Sequence, residues 1–358
     1  MRSFVDRAFW RERGVLVTGH TGFKGAWLSL WLQSLGARLT GLSLGAAPTE
    51  PSLYELARVG DGMLTSVACD IRDPHAVTSA LVAAGPEIVI HMAAQPLVRR
   101  SLAAPRETYE TNVMGTVNVL EAVRACPGVR AVLVVTSDKC YDNRESPRGY
   151  REGDPLGGHD PYSSSKAAAE LVTSAYRHAF LSDPDGPRLA SARAGNVIGG
   201  GDWGEDRLIP DIVRAAAGEQ TLRLRNPGAV RPWQHVLDPL GGYLVLAQAL
   251  YDSPDYARAW NFGPDERDAH TVEWVVQRFS ELWPGGVSWT ADDRAHPRET
   301  RHLRLDSSQA RERLGWRPAM SLEDGLAVTV AWFRELAEGA DMRAVTLGQI
   351  ESGRAVPR

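Results

Sequence analysis

The chain has 358 residues, 23% of them charged and 43% hydrophobic, with a formal net charge of -4. This composition belongs to a globular protein with a sizeable core and argues against nucleic acid as the main partner. No apolar run reaches the roughly 18 residues a membrane helix needs, and three scattered cysteines (Cys69, Cys126, Cys140) without metal-ligand spacing or a secretory signal point to a reducing cytoplasm.

The first apolar run, GVLVTG at 14–19, reads as a strand ending in glycine. A helix should follow, because Phe23, Trp27, Leu30, Trp31 and Leu35 recur at helical spacing. Further strand-like runs lie at 38–44, 63–70, 87–94, 131–137 and 188–197, with helical stretches between most of them. Continuous apolar strands alternating with helices indicate an α/β protein: a Rossmann-type, doubly wound parallel sheet covered on both faces. After residue 196 the alternation weakens into stretches rich in glycine, proline, arginine and tryptophan. Residues 1–195 are therefore expected to bind a dinucleotide, and 196–335 to form a smaller C-terminal α/β unit for the substrate. RAWNFGP at 258–264 should return a strand to the first sheet, and the weakly patterned residues 339–358 are expected to be a mobile tail.

TGHTGFKG places Gly19, Gly22 and Gly25 between the first strand and its helix. Glycines there let the backbone turn tightly against a pyrophosphate, and the helix start supplies free N–H groups. The spacing alone also fits a purely structural turn; its position after the first strand favours NAD. An acid for the adenosine ribose should end the second strand, but GLSLGAAPTEP offers Ser43 and no carboxylate before Glu50. His20 and Lys24 are expected to compensate with positive charge near the pyrophosphate. Asp70, ending the third strand, is expected to meet the adenine amino group.

DPYSSSKAAAE carries Tyr162 and Lys166, which share one face of a helix. A lysine cation beside a phenol favours phenolate, so the expectation is a tyrosine pKa drawn toward working pH. The phenolate can then take a hydroxyl proton while hydride leaves the same carbon for nicotinamide. Ser137 ends the preceding strand. Together with HMAAQPLVRRS, TNVMGT, TSDKCYDNRE, ARAGNVIGGGDW and RPWQHVLDPLGGYL, these motifs make the chain similar to the CDP-glucose 4,6-dehydratase branch of the extended short-chain dehydrogenase/reductases, over about residues 9–318.

That resemblance implies a catalytic set of Ser137, Asp138, Lys139, Tyr162 and Lys166, with Asp138 as acid for the departing 6-hydroxyl and Lys139 as base for the C5 proton. It implies cofactor contacts from Gly19, His20, Thr21, Gly22, Phe23, Lys24, Gly25, Asp70, Ile71, Ala93, Ala94, Gln95, Tyr162 and Lys166. Substrate contacts are expected from Arg99, Asn196, Arg207, Arg231 and Arg298, arginine being suited to bidentate pairing with phosphate. No metal is expected. The implied reaction converts CDP-glucose to CDP-4-keto-6-deoxyglucose. Helices near 106–125 and 162–180 would pair two copies into a homodimer. Two other readings remain open: a dehydratase or 4-epimerase acting on another nucleotide-sugar, and a non-catalytic NAD-binding regulator.

Overall fold

The first β-branched run becomes strand β1, Gly14–Thr18. In the computed structural model, which describes residues 4–146, 148–183, 185–292 and 303–354, five more runs become β2 (Arg38–Ser43), β3 (Thr65–Ala68), β4 (Ile88–His91), β5 (Ala131–Val135) and β6 (Arg188–Ala194). Beyond them lie the short strands β7 (Val197–Ile198), β8 (Leu222–Leu224), β9 (Val230–Pro232) and β10 (Gln234–His235), then β11 (Ala259–Phe262), β12 (Ala269–Thr271) and β13 (Trp289–Ala291).

Seven strands form one sheet in the order β11-β6-β5-β4-β1-β2-β3, with every neighbouring pair parallel. The returning strand expected near 258–264 is β11, which pairs with β6 at the sheet edge. From β1 the chain steps outward to β2 and β3, then comes back to β4 and steps the other way. This reversal leaves a crevice beyond the C-terminal ends of β1 and β4, where sheets of this kind hold ligands.

Side-chain alternation along the strands builds a core on each face. Val15, Val17, Ile88, Ile90, Leu133 and Val135 join a hydrophobic cluster that runs from Phe9 to Ile350, so the two halves of the chain share one core. Leu16, Val89, Val132 and Val134 point into a second cluster on the opposite face. Helix Phe23–Leu35 is buried on nearly every side because the sheet lies beneath it while helices Leu237–Asp252 and Met342–Arg354 pack on it.

The last of these helices corrects an expectation. Residues 342–354, read from sequence as part of a mobile tail, form a packed helix with Met342, Thr346 and Ile350 buried one turn apart. Arg343 ties it down through Gln33 Oε1 (2.9 Å) and the Arg58 carbonyl (2.9 Å), and Trp332 Nε1 donates to Thr346 Oγ1 at 3.0 Å. Among the described residues no helix is long and apolar enough to cross a membrane.

Candidate active site

The glycine loop is tight for steric reasons. Gly19 has φ +75°, and a Cβ there would lie 2.8 Å from the Ala93 backbone; a Cβ at Gly25 would collide with the Gly19 carbonyl. Gly22 caps helix Phe23–Leu35 without a side-chain hydrogen bond, and the first helical bond comes only from Ala26 N–H. The N–H groups of the first turn are thus left for an anion at the positive end of the helix. Thr18 Oγ1 anchors the neighbouring turn, contacting His91 Nδ1 at 2.7 Å and accepting from the N–H groups of Met92 and Ala93 at 3.1 Å. This cradle fits a dinucleotide pyrophosphate.

His20 and Lys24 do not add charge to that cradle. The His20 ring is fully buried in the space that Gly41 leaves by lacking a side chain. Its Nε2 meets Ser66 Oγ at 2.8 Å, and burial lowers its pKa, so it is neutral. Lys24 reaches across the crevice instead. Its Nζ donates to the Tyr243 hydroxyl at 2.9 Å and lies over that ring, 4.9 Å from the centroid. Burial, then repulsion from Lys166 and Arg207, brings its pKa down to about 7, with Asp138 opposing. The lysine of the glycine loop therefore faces the reaction groups.

The other expected cofactor residues divide. Thr21 is buried and Phe23 packs on the core. Asp70 stands at the end of β3 with its carboxylate already held by Arg72 (Nη2 to Oδ2, 2.5 Å), which lowers its pKa. Ile71 is buried against Gly115 and its carbonyl accepts from Asn118 Nδ2 at 2.9 Å. Ala93 and Ala94 line the turn after β4, partly exposed. The Gln95 side chain is spent on structure: Oε1 accepts from Leu97 N–H at 2.6 Å and Nε2 donates to Thr108 Oγ1 at 2.9 Å.

The chemistry-bearing residues do converge. Ser137 follows β5 and opens the tight turn Asp138–Cys140, its hydroxyl accepting from Lys139 N–H at 3.2 Å and donating to Asp138 Oδ1 at 2.9 Å. Asp138 is 3% exposed and its Oδ2 has no hydrogen-bond partner among the described residues. Burial raises its pKa, against the pull of Lys139 and Arg231. Facing this turn, helix Pro161–Ala179 starts at Asp160, which accepts from Ser163 N–H at 2.9 Å, and Tyr162 N–H donates to Ser101 Oγ at 3.1 Å. Burial pushes the Tyr162 phenol up to about 12, a hydrogen bond from Ser137 working the other way. The expected depression by Lys166 is absent: the lysine amine donates to the Val135 carbonyl at 3.4 Å, and burial lowers its own pKa to about 8.

A second layer went unread in the sequence. Glu170, one helical turn beyond Lys166, is 3% exposed; it accepts from Thr136 Oγ1 (2.5 Å), Ser191 Oγ (2.7 Å) and Arg193 Nη2 (2.8 Å). Arg193 also donates to the Tyr141 hydroxyl at 2.8 Å, which donates to Asn261 Oδ1 at 2.7 Å. These bonds lock the Ser137 turn, the Tyr162 helix, β6 and β11 together. The i, i+4 spacing of Lys166 and Glu170 was the available signal.

Among the substrate candidates, Arg231 on β9 is buried within electrostatic reach of Asp138. Arg207 heads helix Leu208–Ala217 with Nη1 3.0 Å from Asp202 Oδ1. Arg99 pairs with Asp206 at 3.3 Å. Asn196 follows β6 and its carbonyl accepts from Gln234 N–H at 3.0 Å. Arg298 lies outside the described residues. Among the described residues no three His, Cys, Asp or Glu side chains converge on a metal position.

A parallel sheet with a glycine cradle at its reversal point, and Ser137, Tyr162 and Lys166 beyond its central strand, defines an extended short-chain dehydrogenase/reductase fold and site. Within that class the chain belongs to the GDP-mannose 4,6 dehydratase family, which it matches over residues 16–329. A CDP-glucose 4,6-dehydratase of Salmonella typhimurium is 51% identical over 343 residues, covering 94% of this chain and 95% of that one. A dTDP-glucose 4,6-dehydratase of Xanthomonas campestris is 28% identical over 338 residues, 89% of this chain and 92% of its own. Among solved structures, the dTDP-glucose 4,6-dehydratase DesIV of Streptomyces venezuelae, with NAD and TYD bound, superposes with a TM-score of 0.75 at 27% identity, covering 92% of this chain and 99% of that one.

Proposed function

We propose that this protein is an NAD-dependent CDP-glucose 4,6-dehydratase, forming CDP-4-keto-6-deoxyglucose and water. The observation that carries dehydration is Asp138: a buried carboxyl whose pKa desolvation raises, within electrostatic reach of Tyr162 and with Oδ2 lacking a hydrogen-bond partner among the described residues. A 4-epimerase has no need of such an acid. The 51% identity with the Salmonella enzyme favours the cytidine nucleotide.

Bound NAD would accept hydride from C4 of the glucose and return it to C6. Tyr162 takes the 4-hydroxyl proton as a phenolate, which burial disfavours and which the positive charge of oxidised nicotinamide, with Lys166 behind it, would favour. The C4 ketone makes the C5 proton acidic; Lys139 removes it, while Asp138 protonates the departing 6-oxygen. Gly19, Gly22 and Gly25 with the first turn of helix Phe23–Leu35 hold the pyrophosphate, and the turns after β3 and β4 flank the nucleoside. Arg207 and Arg231 serve the substrate diphosphate. On this reading residues 1–195 with β11 carry the cofactor and 196–335 mainly the substrate.

A cytoplasmic homodimer is part of the proposal. Met114 and Leu171, 51% and 60% exposed, with Leu102, Tyr109 and Phe180, leave apolar surface on the helices at 98–124 and 161–179 that a second copy would cover. Incubation with CDP-, dTDP-, UDP- and GDP-glucose, read by mass spectrometry, tests the function: the mass of one water should be lost from the CDP sugar. A product of unchanged mass would instead mark an epimerase.

A further inference from the structure

Asp138 and Lys139 share one short turn, Asp138–Cys140, so whatever holds the two ends of that turn sets where both groups stand. At the near end, Thr136 N–H donates to the Ala192 carbonyl at 2.9 Å and Thr136 Oγ1 donates to Glu170 at 2.5 Å. At the far end stands Tyr141, 1% exposed, which pairs with Leu156 in an isolated antiparallel bridge. Its ring stacks on Tyr150, with centroids 5.1 Å apart and planes at 20°. Tyr162 has separate anchors on another element: the Asp160 cap and the bond from its N–H to Ser101.

The Tyr141 hydroxyl is bonded on both sides, and the direction of each bond is fixed. Asn261, fully buried on β11, donates through Nδ2 to the Tyr150 carbonyl at 2.8 Å and to the Asp306 carbonyl at 3.1 Å. Both amide hydrogens are then used, which leaves Oδ1 to accept from the Tyr141 hydroxyl at 2.7 Å. Arg193 Nη1 donates to the same phenol oxygen at 2.8 Å. Arginine has no acceptor, so the single phenol proton is committed to Asn261 and Tyr141 has none to give the sugar. Asn261 N–H donates to Glu152 Oε1 at 2.8 Å, and Asp306 N–H donates to the Tyr150 carbonyl at 2.9 Å. One asparagine thus gathers β11, residues 150 and 152, and residue 306 behind the far end of the turn.

Resting on the dehydratase reading, we propose that Tyr141 and Asn261 are positioning residues for the elimination step, holding Asp138 and Lys139 against the sugar without touching it. Removing the phenol hydroxyl frees one end of the turn and leaves Tyr162 and Lys166 on their own helix. Oxidation at C4 then continues while loss of water lags. A misplacement of about 1 Å can cost on the order of 100-fold in rate, so even a partial shift slows elimination by ~10-fold or more.

Tyr141→Phe tests this, because it keeps the stacked ring and removes only the hydroxyl. The holoenzyme is mixed with CDP-glucose and followed by rapid-quench mass spectrometry. The variant should accumulate a keto sugar that has lost two hydrogens but keeps its 6-oxygen, whereas wild type should show only substrate and dehydrated product. Dehydrated product should form ~10-fold or more slowly, and deuterium at C5 should slow the variant more than it slows wild type. Asn261→Ser, which removes the acceptor instead, should give the same accumulation, so the test does not depend on one variant folding. Tyr150→Phe takes a hydroxyl from the other ring of the stack, one bonded to Asn143 and Arg144, and should accumulate no keto sugar. Unchanged turnover in Tyr141→Phe and Asn261→Ser, or slowing without the keto sugar, overturns the positioning role and leaves the dehydratase standing. Equal accumulation in Tyr150→Phe also overturns it, since any loosening of the stack would then suffice. Absence of dehydrated product from wild type overturns both.

Discussion

Replacing Glu170 with glutamine removes one charge from a fully enclosed network while keeping its volume. Arg193 would then be left as a buried cation, its guanidinium 3% exposed and its carboxylate partner at 2.8 Å gone. Losing one member of a buried pair costs about 3–5 kcal/mol, and the bonds from Thr136 and Ser191 weaken from charge-assisted to neutral. Because native domains are stable by only about 5–15 kcal/mol, urea denaturation should register the loss clearly. The substitution also has a predicted kinetic signature. Glu170 is the leading group that raises the Lys166 pKa against burial, so without it the amine titrates below its present value of about 8. The alkaline limb of the pH–rate profile, where Lys166 loses its charge, should move to lower pH. Glu170→Gln with Arg193→Met should recover part of the stability, since no unpaired charge remains, but not the profile. A loss under ~1 kcal/mol together with an unchanged profile would refute the claim that this pair supports the site.

Two further substitutions test features outside that network. Lys24→Met should raise KM for the nucleotide-sugar ~10-fold or more, the worth of one charge-assisted contact, with NAD affinity within about twofold; lost NAD affinity at unchanged KM would return the lysine to the cofactor loop. Asp238 is buried with its Oδ2 lacking a hydrogen-bond partner among the described residues, and burial pushes its pKa up to about 7. The folded chain therefore keeps a proton that the unfolded chain releases from about pH 4 upward, so stability falls as pH rises to about 7 and levels off above. Asp238→Asn should flatten that slope by on the order of 2 kcal/mol, a few degrees in Tm between pH 5 and 8; identical slopes in both proteins would contradict the assignment.

The sheet was legible because its central strands β1, β4 and β5 are nearly continuous apolar runs with helical stretches between the strands, the pattern of a covered parallel sheet. Even β11 could be read from RAWNFGP. Local spacing alone gave the glycines at 19, 22 and 25 and the shared helix face of Tyr162 and Lys166, whereas Ser137, on another element, was grouped with them only through the family resemblance. What was not legible depends on distant residues or on burial. His20 is held neutral by burial in the space left by Gly41 on the adjacent strand, with its Nε2 against Ser66, 46 residues on. Lys24 finds Tyr243 across 219 residues. Tyr-x-x-x-Lys spacing shows that the two side chains are neighbours but not that desolvation outweighs their attraction. The helix Met342–Arg354 escaped because its buried stripe is only Met342, Thr346 and Ile350, with a polar residue at its centre.

The most direct measurement follows an isotope. CDP-glucose carrying deuterium at C4, turned over by the holoenzyme, should yield a 4-keto-6-deoxy product with the label on C6 and one water fewer in its mass. Deuterium found still on C4 with the 6-hydroxyl intact, or washed out into solvent, would contradict the account.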